Sequence, residues 1–224
     1  DSTISAGQLN SLDGEYSGTV DASAVTTITG TATDLITAYT SSGISGLGDE
    51  AINVSSGSAS TSQANTLAAS TSGPVTATIF DGDMATLAGL TETGNAYTIT
   101  ITDNSVAESV LNNLDGKTNV AINAANINTL TGSAADLNTA YASSGISGLG
   151  NEAVTLSDTT LAASVLNTLD GNTSGTINAS TINTLIGTAT ELITAYASSG
   201  ISGLGNEAIT LTDTTLAVSV LNTL

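Results

Sequence analysis

The sequence predicts an α/β repeat protein: a solenoid of stacked strand-helix coils with a parallel β-sheet on one side and short helices on the other. Three observations predict it. Near-identical text recurs at a fixed offset, short alternating segments open the coils, and helically spaced apolar residues follow those segments.

The repeat comes first. Leu114-Asp115-Gly116 returns as Leu169-Asp170-Gly171, an offset of 169 − 114 = 55, and Leu224 lies one more such offset on (224 − 169 = 55). Ala140 to Ala153 returns at Ala195 to Ala208 and, slightly changed, at Ala38 to Ala51. From Leu12 to Leu114 the offset is 114 − 12 = 102, so the first period holds extra sequence. The chain 1–224 therefore reads as a single repeat solenoid of about nine coils, with a 55-residue double-coil period at 115–169 and 170–224 and divergent coils at about 55–96. Val220 to Leu224 repeats text that earlier leads into Asp-Gly, so a fragment of a longer array is expected.

The strands come next. Residues 2–5, 19–22, 51–54, 75–79, 97–101, 121–124, 153–156, 176–179 and 208–211 alternate apolar with polar residues. Val20, Ile52, Ile99, Ile122, Val154, Ile177 and Ile209 then face a core, with Thr or Asn outward, as in half-buried strands. Strands so short need stacked neighbours, and strand-helix-strand succession makes them parallel.

Helices follow the strands. Leu161, Val165, Leu166 and Leu169 have helical spacing, with Asp158 as the expected N-cap and Gly171 as the stop. The longer coils are expected to hold two short helices, one on Ile182, Leu185 and Ile186 and the next on Leu192, Ile193 and Tyr196, with Gly187 between them. Thr188-x-x-Glu191 reads as a capping box, and Thr31-x-x-Asp34 and Ser133-x-x-Asp136 as its shorter counterparts. Ser-Ser-Gly-Ile-Ser-Gly-Leu-Gly closes the longer coil, its glycines allowing tight turns while Ile201 and Leu204 tuck inward. Coil lengths should alternate between roughly 22–24 and 32 residues.

Composition narrows the chemistry. Twenty Asp and Glu face one basic residue, Lys117, for a net charge of −19, which disfavours nucleic acid and anionic membrane surfaces. Without Cys or His there is no thiol chemistry, no disulfide, no imidazole base and no Cys/His zinc site. No apolar stretch is long enough for membrane insertion. Trypsin-like proteases find only Lys117, which suits an exposed extracellular part.

Carboxylate pairs are the remaining enzymatic candidates, and Asp81 and Asp83 are the tightest pair, with Asp49-Glu50 next. A turn and helix start explains Asp81-Gly82-Asp83 without catalysis, so no enzyme is expected. Calcium is the better candidate ligand, because carboxylates that repeat between coils could align and supply oxygens. The candidate ligands are Asp115, Asp170, Glu152 and Glu207, each of which also has an ordinary use as turn residue or solvated charge. No cofactor is required. Outward Thr76, Thr98, Thr100, Thr155 and Thr210 alternate with Asn123 and Asn178, the composition of an exposed strand face. Tyr39, Tyr141 and Tyr196 share one repeat position and should reach hydroxyl partners at the edge of the core.

Ser-Gly-Ile-Ser-Gly-Leu-Gly-Asn-Glu-Ala and Asp-Thr-Thr-Leu-Ala-x-Ser-Val-Leu-Asn-Thr-Leu-Asp-Gly resemble repeats of giant cell-surface proteins of marine unicellular cyanobacteria. More loosely they resemble the repeats of bacterial calcium-dependent adhesins. The resemblance spans nearly the whole chain apart from about 55–96, and it implies a secreted or surface-attached array tied to adhesion, motility or a surface layer. The Gly-Gly-x-Gly-x-Asp nonapeptide of calcium-binding toxin repeats is absent, so no ligand set carries over. The expected function is a structural or adhesive repeat module of a large extracellular surface protein or filament. A calcium-dependent binding module is the alternative. Self-association or neighbouring repeats are the expected partners, with divalent cations beside them.

Overall fold

The computed structural model describes residues 2–223, so Leu224, the third member of the leucine series, lies outside them. In chain order the elements are β1 (Thr3–Ser5), α1 (Ala6–Glu15), β2 (Val20–Asp21), β3 (Thr27–Gly30), α2 (Ala32–Thr40), β4 (Ile44–Ser45), β5 (Ala51–Val54), α3 (Thr61–Ser70), β6 (Val75–Thr78), α4 (Met84–Leu87) and β7 (Ala96–Thr98). There follow β8 (Ser105–Ala107), α5 (Glu108–Asp115), β9 (Ile122–Asn123), β10 (Thr129–Gly132), α6 (Ala134–Ala142), β11 (Ile146–Ser147), β12 (Ala153–Leu156) and β13 (Thr160–Ala162). The last are α7 (Ala163–Asn172), β14 (Ile177–Asn178), β15 (Thr184–Gly187), α8 (Ala189–Ala197), β16 (Ile201–Ser202), β17 (Ala208–Leu211) and α9 (Val218–Leu221). Parallel sheets thus alternate with helices in a repeated strand-helix arrangement. The residues form two compact units, Asp1–Ile101 with Asn113–Asn123, and Thr102–Asn112 with Ala124–Leu224.

In the first unit a parallel sheet runs β1-β3-β5-β6-β7, beside a two-stranded sheet β2-β4. Thr3 lies opposite Thr27, and Thr27 opposite Ala51, so the step along the chain is 27 − 3 = 51 − 27 = 24. The step shortens where the sequence diverges: Thr76 lies opposite Ala96, a step of 96 − 76 = 20. Ile28, Ile52 and Val75 point inward from successive strands and are almost fully buried, because a period of two sends alternate side chains to opposite faces. Helices α1, α2 and α3 bury Leu9, Leu35 and Leu67, and each fully buried leucine contributes roughly 1.5–3 kcal/mol.

The second unit repeats the plan. One sheet runs β8-β10-β12-β14-β16 and a second β13-β15-β17, all parallel. Thr129 faces Ser105 and Ala153, and Leu185 faces Leu161 and Ile209, again at a step of 24 (129 − 105, 185 − 161). Side chains reinforce that step: the Asn112 amide donates to Asp136 O at 3.1 Å and the Asn167 amide to Glu191 O at 2.9 Å. Each ties one helix to the next coil's helix, as Asn10 does to Asp34 O in the first unit.

Local chemistry sets the helix starts. Ser5, Thr31, Ser60, Ser133 and Thr188 occupy N-caps, each side chain accepting from the backbone N–H three residues on. Thr188 and Glu191 form the expected capping box, and Ser60 with Gln63 forms another.

Several expectations are corrected. Coils do not alternate between roughly 22–24 and 32 residues; the in-register step is 24 in most strand pairs, 23 between β5 and β6 and between β12 and β14, and 20 between β6 and β7. The expected helix on Ile182, Leu185 and Ile186 is instead strand β15, in which Leu185 and Gly187 point inward between half-exposed Thr184 and Ile186. A short apolar run satisfies both periods, and the neighbouring strands decide. Strands β3, β4, β8, β10, β11, β13, β15 and β16 add to the expected alternating segments, and together they form several sheets rather than one. Asp158 is not an N-cap: Ala162 holds that place for α7, while Asp158 Oδ2 accepts from Ala134 N–H at 2.8 Å. Gly171 lies inside α7, which runs on to Asn172.

The sequence repeat of 55 and the register step of 24 do not match, since 55 = 2 × 24 + 7. Strand β13 is the repeat counterpart of β8, Thr160 answering to Ser105, yet it starts a new sheet with β15 and β17 instead of joining that of β8.

Candidate functional site

The recurring turn that ends in Gly-x-Glu builds the most ordered polar feature of the repeat. In Gly148-Leu149-Gly150-Asn151-Glu152, Gly148 and Gly150 have φ of 87° and 133°, a backbone region that disfavours side chains. The turn brings N–H groups onto the following carboxylate. Glu152 is fully buried, and it accepts from Gly150 N–H at 2.8 Å, Asn151 N–H at 3.2 Å and the Tyr141 hydroxyl at 3.0 Å. Glu50 is held likewise by Gly48 N–H, Asp49 N–H and the Tyr39 hydroxyl. Glu207 receives Gly205 N–H, Asn206 N–H and the Tyr196 hydroxyl.

The three tyrosines therefore reach hydroxyl partners as expected, and the partners are the repeat's own glutamates. Burial, with Glu152 adding to it, pushes the Tyr141 hydroxyl far above its ordinary pKa, although Thr173 pulls the other way. Burial and the Glu207 contact raise Tyr196. Burial pushes the Glu207 carboxyl up, but the Tyr196 hydroxyl and the Gly205 and Asn206 amides outweigh it and hold it below the usual range.

The backbone carbonyl of the same glutamate holds the segment that follows. Thr173 Oγ1 donates to Glu152 O at 2.8 Å and Thr71 Oγ1 to Glu50 O at 2.7 Å, and each hydroxyl accepts from the N–H two residues on. Gly175 and Gly73 pass so close to those carbonyl groups that a Cβ on either would come within 3.0 Å.

The other candidates are dispersed. Asp170 Oδ2 accepts from the Ser198 hydroxyl at 2.7 Å, and Asp13 does the same for Ser41 at 2.6 Å. Asp115 is half-buried at the end of α5. Asp115 and Asp170, like Glu152 and Glu207, are separated by one sequence repeat (170 − 115 = 207 − 152 = 55) and so do not meet at the register step of 24. Among the described residues no three carboxylates gather where they could hold a metal ion. Asp81 and Asp83 serve different helices: Asp81 Oδ2 accepts from Thr61 N–H of α3 at 2.6 Å, while Asp83 caps α4 through Thr86 N–H at 2.9 Å. That amide holds the Asp83 carboxyl below its ordinary pKa.

Thr76, Thr98, Thr100, Asn123, Thr155, Asn178 and Thr210 are exposed. In the second unit they fall into a mixed row, with Thr155 opposite Asn178 and Asn178 opposite Ser202. Sequence reasoning missed Ser198, Ser41, Thr173 and Thr71, because their partners lie more than a score of positions away and only the coil step reveals them. No helix among the described residues is long and apolar enough to cross a membrane. No protein-family model, curated protein or solved structure matches the chain.

Proposed function

We propose that this chain is a structural and adhesive repeat module, a solenoid of stacked coils that acts as a spacer or assembly unit of a large extracellular surface protein. One observation carries the reading: the polar groups that recur with the repeat serve the scaffold. Glu50, Glu152 and Glu207 bind their own turn and the tyrosine of the preceding helix, and Asp13, Asp158, Asp170 and Asp213 bind serine hydroxyls or helix N–H groups. Groups so engaged hold one coil on the next rather than facing a substrate. The strongly acidic composition, with Lys117 as the single basic residue, supports an exposed and protease-resistant setting.

The test is location. Antibodies raised against the chain should label intact, unpermeabilised cells of the organism that carries it, as seen by electron microscopy. Label that appears only after permeabilisation would overturn the extracellular reading.

A further inference from the structure

Charge is unevenly placed along this chain. It holds 20 acids, yet among the strands of the described residues only β2 contains one, Asp21. Exposed strands ordinarily carry charged side chains, which hold water on them and keep other strands away. The first unit leaves a strand face without any. Asn53 of β5, Thr76 and Thr78 of β6, Thr98 of β7 and Thr100 just beyond it all stand exposed. Asn53 lies opposite Thr76, and Thr78 lies opposite Thr98, so they share one surface. The side chains of these five make no hydrogen bond within the described residues.

Phe80 belongs to that surface. Val75, Ala77 and Ile79 are buried and alternate with exposed Thr76, Thr78 and Phe80, so a period of two puts the phenylalanine on the threonine side. The backbone there has neighbours on both sides: Ile79 N–H donates to Thr98 O at 3.0 Å and Phe80 N–H to Ala59 O at 3.1 Å. The ring is therefore fixed on a sheet rather than carried by a loop, yet Phe80 is 63 % exposed. It is also the single phenylalanine of the chain. Because β6 already lies between β5 and β7, further coils could extend the sheet only at its edges and would leave this face open. The acids that follow are turned elsewhere, Asp81 to Thr61 N–H and Asp83 to Thr86 N–H. Phe80 also falls in the divergent coils, outside the recurring Glu and Asp positions that tie the scaffold together.

We propose that this face binds a neutral, hydroxyl-rich glycan, with Phe80 stacked on the C–H face of one sugar ring while Thr78, Thr98, Thr100 and the Asn53 amide bond hydroxyls of that ring and its neighbours. A pyranose offers both halves of the required chemistry. Its weakly positive C–H groups suit the negative face of an aromatic ring, and its hydroxyls suit side chains that both donate and accept. Charge selects within the class: an anionic polysaccharide meets a net charge of −19, whereas a neutral one meets a face with no charge to desolvate. A second copy of the chain fits worse, since packed sheets interdigitate apolar side chains and this face has one. The inference rests on the adhesive reading above and names what is held.

Binding can be measured by incubating the chain with suspended cellulose, chitin or mannan, and with alginate coupled to beads as the anionic comparison, and assaying the unbound fraction. At least one neutral polysaccharide should retain the chain and alginate should not. Retention should be equal at about 0.01 and 1 M salt, between which the Debye length falls from about 30 to 3 Å. Phe80→Ala should weaken binding about tenfold and Phe80→Tyr should keep most of it, both with the native circular dichroism spectrum because the ring is off the core. Thr155→Ala, on β12 of the second unit, should bind as the native chain does. Retention on alginate alone, on no polysaccharide, or undiminished in Phe80→Ala overturns the glycan site. None of these outcomes touches the extracellular reading, which falls only if intact cells fail to take the antibody label.

Discussion

Replacing Glu152 with alanine tests the idea that the repeated turn is held by its carboxylate, and the repeat supplies its own control. Glu152 is fully buried and accepts two backbone N–H groups and one phenol hydroxyl. Glu207 makes the same contacts in an identical Gly-Leu-Gly-Asn-Glu turn, but it is only half-buried and the adjoining β17 is exposed. Removing an acceptor from a buried donor costs about 1–3 kcal/mol per group. The Tyr141 hydroxyl can turn toward other acceptors, so the two amides dominate and the loss at Glu152→Ala is about 3 kcal/mol. At Glu207→Ala water replaces the carboxylate, and the loss should stay below about 1 kcal/mol. For a chain of this length a loss of about 1 kcal/mol moves Tm by roughly 2–4 °C, so the two variants should fall by about 6–12 °C and under about 4 °C. Thermal melting followed by circular dichroism measures both. Equal shifts at the two sites would refute the reasoning, because identical sequence would then outweigh burial.

Two further outcomes can be checked in the same assay. Stability should fall as the solution is acidified below pH 4.5: the folded protein holds the Glu207 carboxyl under that value, so its contribution is present above it and lost on protonation. Alkali acts oppositely, because burial, assisted by Glu92, pushes the Tyr97 hydroxyl up to about 12; its contribution is full below pH 10 and disappears as pH rises toward 12. A flat Tm across either window would contradict that assignment. Millimolar calcium should leave Tm unchanged, because Glu152, Glu207 and Asp170 already bind protein donors; a rise of several degrees would indicate a site that binds the folded state.

The alternating segments are legible because a period of two leaves a clear trace: Ile52, Ile122, Val154 and Ile177 are buried, each followed by an exposed Asn or Thr. The helix face is legible through Leu166 and Leu169, whereas Leu161, expected on the same helix, lies in strand β13 opposite Leu185. The coil step is not. The text is most alike at an offset of 55, whereas the backbone is in register at 24. Strands paired at that step, such as Thr129-Leu-Thr-Gly132 and Ala153-Val-Thr-Leu156, share pattern but little identity. Two-residue strands such as β4 and β16 exist only because a neighbour supplies hydrogen bonds, so their own residues barely announce them. The sequence shows Tyr141 seeking a hydroxyl partner, but naming Glu152 requires the turn that folds the chain back onto the helix.

The mismatch between repeat and register governs how duplication can act on such a molecule. In the second unit most paired strands lie 24 residues apart, so a copied 55-residue block starts seven residues beyond the second paired position (55 − 2 × 24 = 7) rather than on it. Neighbouring strands are consequently never twins, which removes the slippage that stacked identical segments invite. No two Asp or Glu in this unit are separated by that step, yet Glu191 and Asp213 meet at the start of α8, where they accept from the adjacent N–H groups of Thr188 and Ala189 and the helix N-terminus offsets their repulsion. Gene duplication at this offset hands every copied strand a new partner, where a commensurate repeat would lay each strand against its own duplicate.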